Sequence, residues 1–125
     1  MKIAIIGAGN MGGATARGLA TGTVFKAAEI TVSEPNKETL AKIKADVPEI
    51  NIMTDNLAAV ADADVVVTAV KPWLVQPVIE GIRPTLAKRR PLIISIAAGI
   101  KFADLNSFLA DDTFQLGSVI PNTAI

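Results

Sequence analysis

The chain has 125 residues, one domain's worth, and half of them are hydrophobic, enough for a real core. Twelve basic residues balance twelve acidic ones, which excludes a nucleic-acid binder working through a basic field but not a local phosphate pocket. Cysteine, histidine and tyrosine are absent. Disulfides and thiolate metal sites are therefore excluded, and proton transfer within the chain falls to Lys, Asp, Glu, a hydroxyl or water.

In chain order, Ile3 to Ile6 is an apolar run fit for a strand buried on both faces, and it enters a glycine-rich turn. Asn10 to about Thr21 is rich in small helix formers, with Gly22 as the expected stop. Ile30 to Ser33 reads as a second strand. Asn36 is placed to cap a helix from Lys37, whose Leu40, Ile43 and Val47 recur at helical spacing, and Pro48 ends it. Ile50 to Met53 is a short strand, and Asp55 or Asn56 caps a brief helix through Ala61. Asp64 to Val70 is the strongest strand signal, β-branched almost throughout, and Lys71-Pro72 stops it.

The following helix carries Leu74, Val75, Val78, Ile79, Ile82 and Leu86; Pro77, Gly81 and Pro84 predict that it is kinked or divided. Pro91 to Ile96 is another buried strand, Phe102, Leu105, Phe108 and Leu109 form a helical stripe, and Phe114 to Ile120 is extended. Trp73 reads as a core or domain-interface aromatic. The initial apolar run is too short for a signal peptide, and no run approaches the roughly 20 residues that span a bilayer, so the expectation is a cytoplasmic protein without a membrane partner. Strand and helix alternate throughout, which predicts an α/β fold: a single domain, residues 1–125, with a doubly wound, mostly parallel sheet and right-handed crossovers.

Gly7-x-Gly9-x-x-Gly12 sits between the first strand and the first helix. In a Rossmann-type domain the first glycine permits the tight turn, the second lets the backbone approach a pyrophosphate, and the third allows close helix–strand packing. Ala8, Asn10 and Met11 complete the turn, and the free N–H groups of the helix favour an anion there. A tight turn that binds nothing would use the same glycines, but the strand before and helix after favour a dinucleotide. Glu34 stands 22 positions beyond Gly12 (34 − 12), where a carboxylate bonds the adenosine ribose hydroxyls and repels a 2′-phosphate. On that chemistry NADH is favoured over NADPH, although Ser33, Asn36 and Lys37 could serve a phosphate if Glu34 turned away, and Glu34 could also be a solvated loop charge.

Ligands of such sheets bind beyond the carboxyl ends of the strands. Three further ends stand out: Ala69-Val70-Lys71-Pro72 with its cation, the small-residue turn Ala97-Ala98-Gly99, and Pro121-Asn122-Thr123 with an amide and a hydroxyl. Taken singly, each has a bland alternative as a rim charge or an ordinary turn.

Together, Ile6-Gly7-Ala8-Gly9-Asn10-Met11-Gly12, Ala69-Val70-Lys71-Pro72, Ser95-Ile96-Ala97-Ala98-Gly99 and Pro121-Asn122-Thr123 resemble the N-terminal domain of the pyrroline-5-carboxylate reductases, in that family's order and spacing. The resemblance implies reduction of 1-pyrroline-5-carboxylate to L-proline with hydride from NADPH or NADH. It implies the pyrophosphate on Gly7 to Met11, the adenosine end around Ser33, Glu34 and Asn56, the nicotinamide side along Ala69 to Pro72 and Ala97 to Gly99, and substrate near Pro121, Asn122 and Thr123. It implies a homodimer or larger homo-oligomer, built by a second, all-helical domain absent from these 125 residues. That domain would carry most of the substrate-carboxylate site and the proton donor, so no catalytic residue is assigned here. A fragment of this kind is expected to bind NAD(H) weakly and to turn over little. Glu34 departs from the family pattern, which often has a small hydroxyl or basic residue there; Ile120 and Ala124 are minor departures. The alternatives are a reductase of the β-hydroxyacid dehydrogenase or deazaflavin-linked NADP type, and a nucleotide-binding module without catalysis.

Overall fold

Strand β1 (Ile3–Ile6) is buried along its whole length and has a parallel partner on each side. A strand covered on both faces has no solvent side for polar residues, which is why it reads as an unbroken apolar run. The computed structural model describes residues 1–119; the segment Pro121-Asn122-Thr123 lies outside them. After β1 come α1 (Asn10–Ala20), β2 (Ile30–Ser33), α2 (Lys37–Asp46), β3 (Asn51–Met53), α3 (Asn56–Val60), β4 (Val65–Thr68), α4 (Pro72–Arg89), β5 (Leu92–Ser95), α5 (Phe102–Leu109) and β6 (Leu116–Ser118). A short 3-10 turn, Ala27–Glu29, precedes β2.

The strands form one sheet in the order β3-β2-β1-β4-β5-β6, every neighbouring pair parallel. The chain winds outward from β1 in one direction and from β4 in the other. The direction changes between β1 and β4, and a doubly wound sheet opens its ligand crevice at such a switch.

Alternation along the strands divides the core between two faces. Ile3, Ile5, Val32, Val65 and Val67 cluster with Ala16, Leu40 and Ile43 of α1 and α2. Ala4, Ile6, Val66 and Ile93 cluster with Val60, Val75, Ile79, Leu105 and Leu109 of α3, α4 and α5. Burying each large aliphatic side chain contributes about 1.5–3 kcal/mol, so these two layers fix the sheet edge that follows.

Most boundaries fall where the local chemistry puts them. The Asn36 side chain accepts hydrogen bonds from the N–H groups of Glu38 and Thr39, and Asp55 accepts from Leu57, so Asp55 rather than Asn56 caps α3. Helix α1 ends at Ala20 with Thr21 as its cap, just ahead of Gly22.

Helix α4 corrects one half of its expectation, that it is divided: it runs as one helix from Pro72 to Arg89 with Pro77 and Pro84 inside it. Both prolines, and the residues four positions before them, Trp73 and Glu80, are exposed, so water can serve the carbonyls that lose a partner. The buried stripe Val75, Ile79, Ile82 and Leu86 holds the helix on the sheet through both interruptions. For Trp73 the core half of the expectation is corrected: it is 73% exposed at the start of α4, which leaves the reading as a domain-interface aromatic.

Candidate functional site

The crevice edge begins where β1 ends. Gly7 has φ +100°, in the left-handed region that side chains avoid, and a Cβ there would stand 2.8 Å from the Ala69 carbonyl oxygen. Its N–H donates to the Ser33 carbonyl at 2.8 Å. A Cβ on Gly12 would collide with the Gly7 carbonyl and meet the Ala69 Cβ at 3.2 Å. The protein's own packing therefore demands both glycines, and it also demands a small residue at Ala69.

Gly9 is different. Nothing lies within 4 Å of a Cβ placed there. Gly9 is the N-cap of α1, no side chain caps that end, and the first turn contains no acid. The first-turn N–H groups and the positive end of the helix dipole thus face open space that a side chain on Gly9 would partly fill. A pyrophosphate approaching Asn10, Met11 and Gly12 fits that space in shape and in charge.

Beside this turn, the register sets Ile6 opposite Ser33 on one side and Thr68 on the other, with Thr68 opposite Ser95. Ser33, Thr68 and Ser95, all buried, thus share one row just inside the edge. The Ser33 hydroxyl donates to Asn56 Oδ1 at 2.6 Å, which ties the end of β2 to the first residue of α3. Glu34 accepts from the Ala8 N–H at 3.0 Å through Oε1 and from the Asn36 N–H at 2.9 Å through Oε2. Ser33, Glu34, Asn56 and the glycine turn are therefore one connected cluster, as the sequence grouped them.

At the end of β4, the Ala69 N–H donates to the Ile6 carbonyl at 2.8 Å, and Val70 Cγ1 lies 3.0 Å from the place a Gly7 Cβ would take. Pro72 opens α4 as its first residue, which needs no N–H partner. Lys71 is exposed at that cap and makes no ion pair among the described residues. At the end of β5, Ala97 is buried and donates its N–H to Ser95 Oγ at 3.3 Å; Ala98 and Gly99 form an exposed turn, with Gly99 at φ +79° and open space around it. The glycine turn touches Glu34 on one side and Ala69-Val70 on the other, and Ala97 to Gly99 stands one strand further along the same edge.

The carboxylates held below their ordinary range lie at the opposite, amino edge. Backbone N–H donation from Lys26, then the N-terminal ammonium, lowers Glu29; the Lys2 N–H, then Arg89, lowers Asp64. Asp111 is lowered to about 2 by the Thr113 hydroxyl and N–H and then by Arg90.

One feature of the edge escaped the sequence reading. A groove of about 320 Å³ runs between α3 and α4, walled by Asn56, Leu57, Leu74, Pro77, Val78 and Gly81 among others. The sequence put Leu74 and Val78 in the core stripe of α4. Both line the groove, one position off the buried Val75 and Ile79; Leu74 is 43% exposed, whereas Val78 is half-buried and also packs against the core. That i, i+4 pair beside the stripe is the signal that could have revealed it.

The family model described as NADP oxidoreductase, coenzyme F420-dependent, matches residues 2–99. The chain belongs to that family. Within this NADP oxidoreductase family domain, the matched span holds the glycine turn and every strand end described above. The pyrroline-5-carboxylate reductase of Pseudomonas aeruginosa is 45% identical over 122 residues, covering 98% of this chain and 43% of that protein. Among solved structures, a pyrroline-5-carboxylate reductase from Coxiella burnetii superposes with a TM-score of 0.88 at 27% identity, over 98% of this chain and 44% of that one. The pyrroline carboxylate reductase of Plasmodium falciparum, solved with NADP bound, gives 0.82 at 28% identity, over 98% and 43%. The chain spans less than half the length of these relatives. The resemblance read from its motifs is borne out, and so is the Rossmann-type fold.

Proposed function

We propose that this chain is the dinucleotide-binding part of a pyrroline-5-carboxylate reductase. The dinucleotide half of that reading is carried by Gly9, whose missing side chain serves no packing need of the protein and leaves room at an uncapped helix end. The substrate half is supported by the name of the relative that is 45% identical across nearly the whole chain.

In this reading the pyrophosphate rests on Gly7 to Gly12, the adenosine ribose meets Ser33, Glu34 and Asn56, and the base enters the groove at Leu57, Leu74 and Val78. The nicotinamide lies along Ala69 to Pro72 and Ala97 to Gly99, toward Pro121, Asn122 and Thr123. The bound dinucleotide supplies hydride to the carbon of a C=N bond whose nitrogen is protonated. The chain's own residues bind and orient that donor and keep water from it. The NADP in the Plasmodium relative supports a nicotinamide dinucleotide, and Glu34 supports NADH being held at least as well as NADPH. The protein works in the cytoplasm as a homodimer or larger homo-oligomer; among the described residues no helix is long and apolar enough to cross a membrane.

The family's description favours a second reading, hydride exchange between a deazaflavin and a nicotinamide dinucleotide. One panel separates the two. The protein carrying this chain is given 1-pyrroline-5-carboxylate with NADH or NADPH and, separately, reduced deazaflavin with NADP. Proline appearing by mass spectrometry, with no deazaflavin oxidation, is the expected result. Deazaflavin oxidation without proline would overturn the substrate assignment.

A further inference from the structure

A second hollow lies between α3 and the sheet, toward the amino ends of β1 and β2 and so away from the glycine turn. Its volume is about 160 Å³, below the roughly 300 Å³ at which pockets for drug-sized ligands begin. Its floor is apolar, made by Ile3 of β1, Met53 of β3, Ala59 of α3 and Ala63 just after α3. Lys2, Glu29 and Asp62 line it as well, which brings one cation and two carboxylates to the same small space. The three are not equivalent. Glu29 is engaged at both oxygens, by the Lys26 N–H at 2.8 Å and the Met1 ammonium at 2.9 Å. The Lys2 and Asp62 side chains make no ion pair among the described residues. Asn51, also on the wall, directs its amide N–H groups to the Ala28 and Ile30 carbonyls at 2.9 and 3.3 Å, which leaves Oδ1 as an acceptor.

That set suits a molecule that is small, apolar in its body and charged at two ends. An ammonium needs acceptors, which Asp62 and Asn51 Oδ1 provide. A carboxylate needs a cation, which Lys2 provides. The hydrocarbon between them rests on alanine and on the adaptable thioether of Met53. A hard metal ion fits less well, because among the described residues no three carboxylates gather to hold one. An anion alone fits less well too, because carboxylates outnumber the cation on the wall. We propose that this hollow is a binding site for a small α-amino acid, held as its zwitterion with the ammonium on Asp62 and Asn51 and the carboxylate on Lys2. The site goes beyond the function proposed above and does not depend on it. Helix α3 stands between the two places: Asn56 at its start bonds Ser33 near the glycine turn, and Ala59 floors the hollow. The two ligands therefore occupy different ends of one helix and bind together.

The test is an NMR titration of the protein carrying this chain, followed by its backbone amide shifts. L-alanine and L-valine are the probes, and acetate and methylammonium are controls that each carry one of the two charges. Both amino acids are expected to move the amides of Lys2, Thr31, Asn51 and Ala58 to Ala63 and to leave Gly7 to Gly12 in place, with NADH present or absent. The singly charged controls are expected to bind at least about tenfold more weakly, the value of one lost charge-assisted contact. Asp62→Asn and Lys2→Met change exposed side chains, so both forms are expected to fold, as circular dichroism checks. Each is expected to weaken L-valine by about tenfold and to leave NADH binding unchanged. No shift at the hollow with either amino acid would overturn the site. Shifts centred on the glycine turn, controls that bind as well as the amino acids, or native affinity in either variant would overturn it too. NADH titration of the same three forms reports on the dinucleotide reading separately.

Discussion

At the scale of single residues, the three glycines of one motif have three physical reasons. Gly7 is required by its φ and Gly12 by a carbonyl it would strike, and both constraints come from the protein itself. A side chain on Gly9 would meet nothing, so packing does not require a glycine there, and under the proposed function the requirement comes from the dinucleotide. The spacing of the motif was legible in the sequence, but this distinction was not, because it depends on the atoms a Cβ would meet. Glu34 is similar. Its position after β2 was readable, whereas its bond to Ala8, 26 residues away, needed the register of β1 against β2. A different residue-scale device closes the far edge. Arg90 stacks over the Phe114 ring at 4.1 Å and bonds Asp111 and Thr113, joining the end of α4 to the approach of β6. Because hydrogen bonds and Arg90 lower the folded-state value of Asp111 to about 2, its contribution to stability is full above the ordinary carboxylate range and is lost as pH falls through that range to about 2. Asp111→Asn is therefore expected to melt below the native protein at neutral pH, with the gap closing as pH falls from about 4 toward 2. A gap independent of pH, read from melting temperatures across that range, would show that ionisation of Asp111 contributes nothing.

At the scale of elements, the strands were the most legible part. Buried parallel strands such as Val65–Thr68 have no solvent face, and their β-branched runs announce them. Their ends were read too long: Asp64 to Val70 shrinks to Val65–Thr68, the residues in register with Ile3–Ile6, while Asp64 and Ala69 flank that ladder with single backbone bonds to Lys2 and Ile6. Helix α4 was the least legible, since local proline rules argued for a break that tertiary burial overrides. An interior proline costs a helix about 3 kcal/mol, and releasing its restraint on the unfolded chain costs back about 1, so Pro84→Ala is expected to raise stability by about 1–2 kcal/mol. Denaturant unfolding measures it. An unchanged midpoint would show that the Glu80 carbonyl is already served by water as well as a helix bond would serve it.

At the scale of the whole molecule, the doubly wound order gathers into one edge groups that are far apart in the chain: the turn after β1, Glu34 after β2, Ala69 to Lys71 after β4 and Ala97 to Gly99 after β5. The sequence could assemble that list because strand ends in an alternating β/α chain share an edge whatever the details of packing. It could not supply the groove between α3 and α4, which depends on how the two helices pack on the sheet and leave Leu57 and Leu74 exposed beside the half-buried Val78. The edge as a whole has an uncapped helix end at its centre and an acceptor cluster at one side, the arrangement that the proposed dinucleotide requires. The most direct test is calorimetric titration of NADH into the chain and its Gly9→Ala form, with melting curves in parallel and Gly12→Ala as the packing control. Gly9→Ala is expected to lose no more than about 1 kcal/mol of stability, the value of the glycine N-cap, yet to bind NADH at least about tenfold more weakly. Gly12→Ala is expected to lose stability outright. NADH binding by Gly9→Ala as tight as by the native chain would contradict the placement of the dinucleotide on the glycine turn.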